Sequence, residues 1–203
     1  MKKFVSLLSI FLLCFGISAC SSKNTASEDK EINNTEIEDN NTKTDEVKNT
    51  QKEFNFSLEE FVQTFNEAVQ DIENDGEMES PSLNHINGDN IGDFKHDENK
   101  DIYTRELKSE SDDSGGVFTL TAWYDNDQNF NGLNLMASGS DNIASEIGLF
   151  NTFAVFHALG IDIGHLNDLL ESDQDMLDVD EGDYFVHLAK IPDTAVVVKI
   201  EPK

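Results

Sequence analysis

Positive charge is the scarcest feature of this sequence. Only 14 of its 203 residues are lysine or arginine, against 41 aspartates and glutamates, and the formal net charge is −27. Nucleic acids, anionic lipid headgroups and teichoic acids would be repelled, which excludes most roles that require contact with a polyanion. Basic peptides, polyamines or divalent metal ions would be attracted. A solvated surface that keeps the protein soluble explains the same composition without any partner.

The N-terminal apolar run is too short to cross a membrane. Phe4–Ile17 carries no charge and spans 14 residues, whereas a helix that crosses a bilayer needs about 20. The run follows Lys2 and Lys3 and ends in small residues, which is the arrangement of a secretory signal peptide. We therefore predict that residues 1–19 are a signal peptide.

The end of this run carries a recognisable tetrapeptide, Ile17-Ser18-Ala19-Cys20. It resembles the lipobox of bacterial prolipoproteins, an aliphatic residue and two small residues before an invariant cysteine. The resemblance implies that Cys20 receives a diacylglyceryl group and that cleavage falls between Ala19 and Cys20. The mature lipoprotein would be anchored at the extracytoplasmic face of the cell membrane, since two acyl chains suffice for stable anchoring. The alternative is an ordinary secretory signal cut after Ala19, with an incidental cysteine.

Cysteine is limited to Cys14 and Cys20. Because Cys14 would leave with the signal peptide, the exported chain would have no pair that can form an intramolecular disulfide. The domain must then be held together by its hydrophobic core, for which about 150 residues are sufficient.

Aromatic, proline and glycine residues are absent from Ser21–Glu53. Such a segment cannot bury enough apolar surface to offset its chain entropy. We predict that residues 20–53 are a lipidated cysteine followed by a disordered polar tether, and that residues 54–203 are a globular acidic domain. The domain has seven basic residues against 32 acidic ones.

Local patterns predict an α+β domain, with an antiparallel sheet of about five strands and helices packed on one face. The first helix has the clearest start, since Ser57 and Glu60 form a capping box and Phe56 precedes it as part of a hydrophobic staple. The other predicted elements are strands within residues 101–108, 117–127 and 131–139, a helix capped by Asp141 and ended by Gly160, a short helix over Ile163–Glu171, and a hairpin of Tyr184–Lys190 and Ala195–Glu201.

The stretch Phe54–Phe65, FNFSLEEFVQTF, resembles a segment of uncharacterised lipoproteins of low-GC Gram-positive bacteria. In those proteins a leading amphipathic helix follows a polar tether. The resemblance implies a host and a location, and it carries no known catalytic residues.

One acidic loop invites a calcium interpretation. Asp125, Asp127 and Asn129 have the spacing of the first EF-hand ligands. Phe130 stands where the loop needs glycine, however, and Met136 where it needs a bidentate acid. Hairpin turn chemistry explains these residues without a metal.

Other candidate positions are less specific. Residues 173–183 hold five aspartates and one glutamate and are predicted to be a solvated loop, which could hold a divalent cation loosely. His157 is predicted to be a hydrogen-bonded core residue, and one of Trp123 and Tyr124 is expected to face solvent as a possible partner contact. No histidine spacing, nucleophile motif or glycine-rich loop points to a metal, a catalytic site or a cofactor.

These patterns favour a non-catalytic binding module, a monomeric domain held at the membrane through Cys20 that captures a cationic peptide or protein. One alternative is a hydrolase acting through acidic residues, which a cleft with two carboxylates of displaced pKa would favour. The other is a structural or assembly factor of the envelope.

Overall fold

The computed structural model describes residues 52–75, 80–139 and 144–203. All of them belong to the unit Val47–Lys203. The predicted signal peptide, Cys20, the tether up to residue 51 and the predicted helix cap Asp141 lie outside the described residues. Within the described ranges, no helix has both the length and the apolar character that a membrane span needs.

The described residues form three helices and seven strands, apart from a short 3-10 turn at Gly88–Asn90. In chain order they are α1 Leu58–Asn74, β1 Lys95–Asp97, β2 Ile102–Ser111, β3 Val117–Tyr124, β4 Phe130–Ser138, α2 Glu146–Leu159, α3 Gly164–Glu171, β5 Met176–Glu181, β6 Tyr184–Ile191 and β7 Ala195–Pro202.

The strands make one antiparallel sheet in the order β1-β2-β3-β4-β7-β6-β5. The predicted α+β class and antiparallel sheet are confirmed, but the expected count of about five strands is too low. Both additional strands lie at an edge of the sheet. β1 is three polar residues long, and in β5 the acidic residues hide an alternation in which Leu177 and Val179 pack against the core.

Helix α1 begins as predicted. The Ser57 hydroxyl accepts a hydrogen bond from the backbone N–H of Glu60 at 3.2 Å, and the Glu60 carboxylate accepts one from the N–H of Ser57 at 2.7 Å. The rings of Phe56 and Phe61 lie 6.4 Å apart, which completes the staple. The helix then buries one apolar face, centred on Phe65 and Val69.

The core is a continuous layer across the central strands. Leu120, Leu135, Val198 and Leu188 occupy one row of paired positions from β3 through β4 and β7 to β6, and each is at most 1 % exposed. Phe65 of α1 is also fully buried. Each such side chain contributes about 1.5–3 kcal/mol to the free energy of unfolding.

Helix α2 is buried around much of its circumference. Its N-cap is Ser145 rather than the expected Asp141, because the Ser145 hydroxyl accepts from the N–H of Gly148. Gly160 ends the helix as predicted, in a left-handed conformation with φ 68° that glycine adopts without strain. The prediction for His157 is wrong: this residue is exposed, with its ring edge-on to Phe153 at 6.2 Å.

Candidate functional site

A β-bulge in β2 turns two charged side chains toward the core. Glu106 pairs with Thr121 and Lys108 with Leu120, which leaves Leu107 as an extra residue between them. An extra residue reverses the alternation of the strand beyond it. Lys108 and Glu110 therefore share the face of the sheet that Leu120 occupies.

These two residues form a buried ion pair. The Lys108 and Glu110 side chains are 5 % and 7 % exposed, and Lys108 Nζ lies 2.8 Å from Glu110 Oε2. Lys108 Nζ also donates to the carbonyl of Asn84 and lies 5.5 Å from the centre of the Phe65 ring. Glu110 accepts from the Asn84 backbone N–H and side-chain amide, and from Asn151 Nδ2 at 3.0 Å. The pair thus joins β2 to the segment before β1 and to α2, with its lysine over an α1 ring.

The environment favours an ionised Glu110. Burial alone would raise its pKa, but hydrogen bonds from Lys108 and Asn151 and the lysine charge outweigh burial, so the pKa of Glu110 lies below its usual value. For Lys108, burial is the larger effect: it lowers the pKa, and the contacts with Glu110 offset this lowering only in part. Asn151 Oδ1 is buried and has no hydrogen-bond partner among the described residues.

A polar cleft of about 430 Å³ lies beside the pair. Its walls include Asn87, Asn90, Glu106 and Ser109 together with the ion pair. Both oxygens of Glu110 accept from protein donors, and Lys108 is turned toward Glu110 and a backbone carbonyl. These contacts connect β2 to the Asn84 segment and to α2.

The candidate calcium residues form a tight turn. Asp125 Oδ1 accepts from the backbone N–H groups of Asp127 and Asn129, each at 2.9 Å, and Oδ2 accepts from Asn129 Nδ2 at 2.9 Å. Burial alone would raise the pKa of Asp125, but the hydrogen bonds from Asn129 lead the contacts that lower it below its usual value. The described residues include no group of three or more histidine, cysteine, aspartate or glutamate side chains placed to hold a metal ion.

Residues 173–183 are not the solvated loop that their composition predicts. Most of the segment is strand β5, whose carboxylates alternate with apolar residues. Asp178 and Asp180 carry side chains that are 71 % and 68 % exposed, although Asp178 Oδ1 lies 2.8 Å from His187 Nδ1 and Asp180 pairs with Lys203. The segment is thus an acidic edge of the sheet.

The expectation for Trp123 and Tyr124 is wrong, because both are only 5 % exposed. Tyr124 packs in the core, 5.5 Å from the ring of Phe130. The Trp123 indole lies against Gly132, with Lys199 Nζ 5.3 Å from the ring centre. The exposed tyrosine, tryptophan or phenylalanine side chains among the described residues are instead Phe94 and Phe185, each 41 % exposed.

Most basic side chains of the domain are engaged within the chain. Arg105 Nε donates to the carbonyl of Gly92 at 3.0 Å. Lys190 Nζ donates to the carbonyls of Leu169 and Ser172, at 3.1 and 2.6 Å, where α3 ends. Besides the Lys108–Glu110 pair, the described parts of the chain form the lysine–carboxylate pairs Lys199–Glu201, Lys203–Asp180 and Lys100–Asp97. Six of the seven basic residues in 54–203 therefore make contacts within the domain, and most carboxylates of the described residues lie outside these lysine pairs.

An apolar groove of about 280 Å³ separates α2 from α3. Its walls are Leu149, Phe150, Phe153, Ile163, Leu166 and Leu170, with the exposed Asn167 at its border. Except for the buried Leu166, these apolar side chains are only half-buried. The sequence indicates such a surface, since α2 has more apolar residues than one buried helix face can hold.

Comparison with known proteins supplies no relative. The chain matches no protein-family model, no curated protein and no solved structure.

Proposed function

We propose that this protein is a lipid-anchored, extracytoplasmic binding module for a cationic peptide or protein. The lipobox-like residues Ile17–Cys20 support the anchor, with Cys20 as the acylated residue. The anchor holds the acidic domain near the membrane, and a polar tether of about 30 residues gives it a reach of roughly 30 Å.

The binding function is inferred chiefly from the contacts of the basic side chains, most of which bind groups within the domain. Lys108 is buried against Glu110, and Arg105 and Lys190 are bound to backbone carbonyls. The remaining carboxylates give the surface a strongly negative potential, which raises the rate at which cationic partners associate.

We also infer that the three helices cover one face of the sheet. Leu135 and Leu188 lie in the buried row, whereas Met136 and Ile191, at the alternate positions of β4 and β6, are 39 % and 44 % exposed. This contrast supports a single covered face. A nitroxide label at Met136 should be mobile, and strong immobilisation would contradict the inference.

The anchor is tested by metabolic labelling with a fatty-acid analogue. The wild-type chain should incorporate the label and fractionate with membranes. The processed form of Cys20→Ala should carry no label and should not fractionate with membranes. Cys14→Ala is the matched control and should be labelled normally. Acyl label that survives on Cys20→Ala would reject Cys20 as the anchor.

The binding function is tested with residues 47–203, which form a compact unit. The probe is a synthetic lysine-rich peptide, and the control replaces each lysine with glutamate. Affinity for the lysine peptide should fall between about 0.02 M and 0.2 M NaCl, because salt screens exposed charges. Failure of the lysine peptide to bind at low ionic strength would reject the proposal.

A further inference from the structure

We propose that the groove between α2 and α3 is where the apolar side of a basic amphipathic helix docks. This inference rests on the proposed function and specifies its site and its ligand. The occupant is a partner segment that carries lysines or arginines beside apolar residues at helical spacing.

The shape of the groove suits apolar side chains from a larger partner. Its volume of about 280 Å³ is near the lower limit of pockets that enclose a complete small ligand. The α2 wall is a stripe, because Leu149, Phe150 and Phe153 follow one another at spacings of one and three residues on one side of the helix. Two apolar residues placed i, i+4 on a partner helix meet such a stripe in the helix-in-groove mode of recognition.

The charge around the groove selects a basic partner. No lysine or arginine occurs between Lys108 and Lys190, so neither α2 nor α3 carries one; the cation bound at the end of α3 is Lys190 of β6, whose Nζ donates to the carbonyls of Leu169 and Ser172. In α2, Glu146 precedes Leu149 and Phe150 by one helical turn. In α3, Glu171 follows Asn167 by one turn. Both glutamates are exposed. An apolar groove whose two helices carry exposed carboxylates therefore complements a helix whose apolar face is flanked by cations.

The same charges disfavour two other occupants. A second copy of the chain would bring another excess of acids against this surface, and an anionic bilayer would be repelled. The edge strand β5 is acidic as well, but its edge offers backbone groups to an extended strand and not to a helix. We therefore expect a helical ligand at the groove, whereas a ligand at the β5 edge would be an extended strand.

The experiment uses residues 47–203 and two synthetic peptides of equal charge. The probe is a leucine–lysine peptide of about four helical turns with leucines on one face, and the second peptide replaces those leucines with glutamine. The leucine peptide should bind about tenfold more tightly or better, because apolar anchors that fill a pocket carry most of the binding energy.

Matched substitutions locate the site. Asn167→Trp fills the groove from its exposed border without removing a core residue, and should weaken binding of the leucine peptide about tenfold. Asn99→Trp, in the turn between β1 and β2, is the control and should leave the affinity unchanged. Glu171→Gln should weaken binding more than Glu98→Gln, another exposed position in that turn. Circular dichroism confirms that each variant is folded.

The outcomes separate this inference from the proposed function. Salt-dependent binding of both peptides with equal affinity, unaffected by Asn167→Trp, would overturn the groove and leave a general cationic binding module. Loss of binding on charge removal at Asp178 and Asp180, but not at Glu171, would overturn it in favour of the β5 edge. If neither peptide binds at low salt, both the inference and the proposed function fail.

Discussion

Replacement of Glu110 by glutamine should destabilise the protein strongly. The substitution keeps the shape of the side chain but removes the charge 2.8 Å from Lys108 Nζ. Since the lysine side chain is only 5 % exposed, its ammonium group would be left in the interior without a counter-ion. Breaking a buried pair in this way costs about 3–5 kcal/mol of the free energy of unfolding, which is a large share of a typical domain's total.

The two members of the pair should contribute unequally to the free energy of unfolding, and single variants measure the difference. In Lys108→Met, Glu110 keeps its hydrogen bonds from Asn84 and Asn151, so the loss should be smaller than in Glu110→Gln. The double variant Lys108→Met/Glu110→Leu removes both charges and should recover part of the loss, because an apolar pair needs no counter-charge.

Urea unfolding, followed through the fluorescence of Trp123, measures these differences at neutral pH. A double-mutant cycle then isolates the coupling between the two side chains. Single-variant losses below about 1 kcal/mol would refute the reasoning, since that is the value of a solvent-exposed pair.

The same pair predicts a pH dependence. The pKa of Glu110 is lower in the folded protein than its ordinary value of 4.5. The unfolded chain therefore binds the proton more readily, so this group's contribution is complete above about pH 4.5 and is lost as the pH falls through the folded pKa. The difference in stability between wild type and Glu110→Gln should shrink in that acidic range. A difference that stays constant down to pH 2, or grows, would contradict the sign of the shift.

Three further predictions concern other parts of the fold. Ser57→Ala removes the capping hydroxyl of α1 and should cost about 1 kcal/mol in urea unfolding, whereas Ser82→Ala, at an exposed position outside the helices, should cost little. Gly132→Ala drives a methyl group into the Trp123 indole, so it should cost about 1–3 kcal/mol and shift the tryptophan emission to the red; unchanged emission would contradict the packing. The melting temperature of residues 47–203 should rise with added NaCl and further with millimolar magnesium, because the excess carboxylates repel one another; indifference to salt would reject the repulsion.

The sequence predicts best those elements whose signals are local. The start of α1 follows from Ser57 and Glu60 alone, and the terminal hairpin from two apolar runs around Pro192. The sequence does not predict edge strand β5, because half of its residues are acidic and its strand character comes from pairing with β6. The burial of Trp123 also depends on neighbouring strands. Gly132 of β4 leaves room for the indole ring, and Lys199 of β7 lies over it.

The buried pair could not be predicted, because its burial depends on the register of β2. Without the bulge, Leu107 would pair with Leu120, and Lys108 would lie on the opposite face as an ordinary polar residue of an alternating strand. Nothing in the local sequence marks the position of the bulge. The partners Asn84 and Asn151 are also 26 and 41 residues from Glu110 along the chain.

Several basic side chains of the domain bind backbone carbonyls. Three of the domain's few basic side chains connect a strand to a segment outside the sheet through a backbone carbonyl: Lys108 binds Asn84, Arg105 binds Gly92 and Lys190 binds Leu169. A carbonyl carries no charge, so Arg105 and Lys190 stabilise the fold without using a carboxylate as partner, and Lys108 uses one that is itself buried. The surface charge that we propose attracts a cationic partner thus follows from the excess of acids in residues 54–203, 32 against seven basic residues, and these contacts leave it in place. Replacement of Lys190 by methionine should accordingly loosen the end of α3 while leaving the arrangement of the exposed carboxylates unchanged.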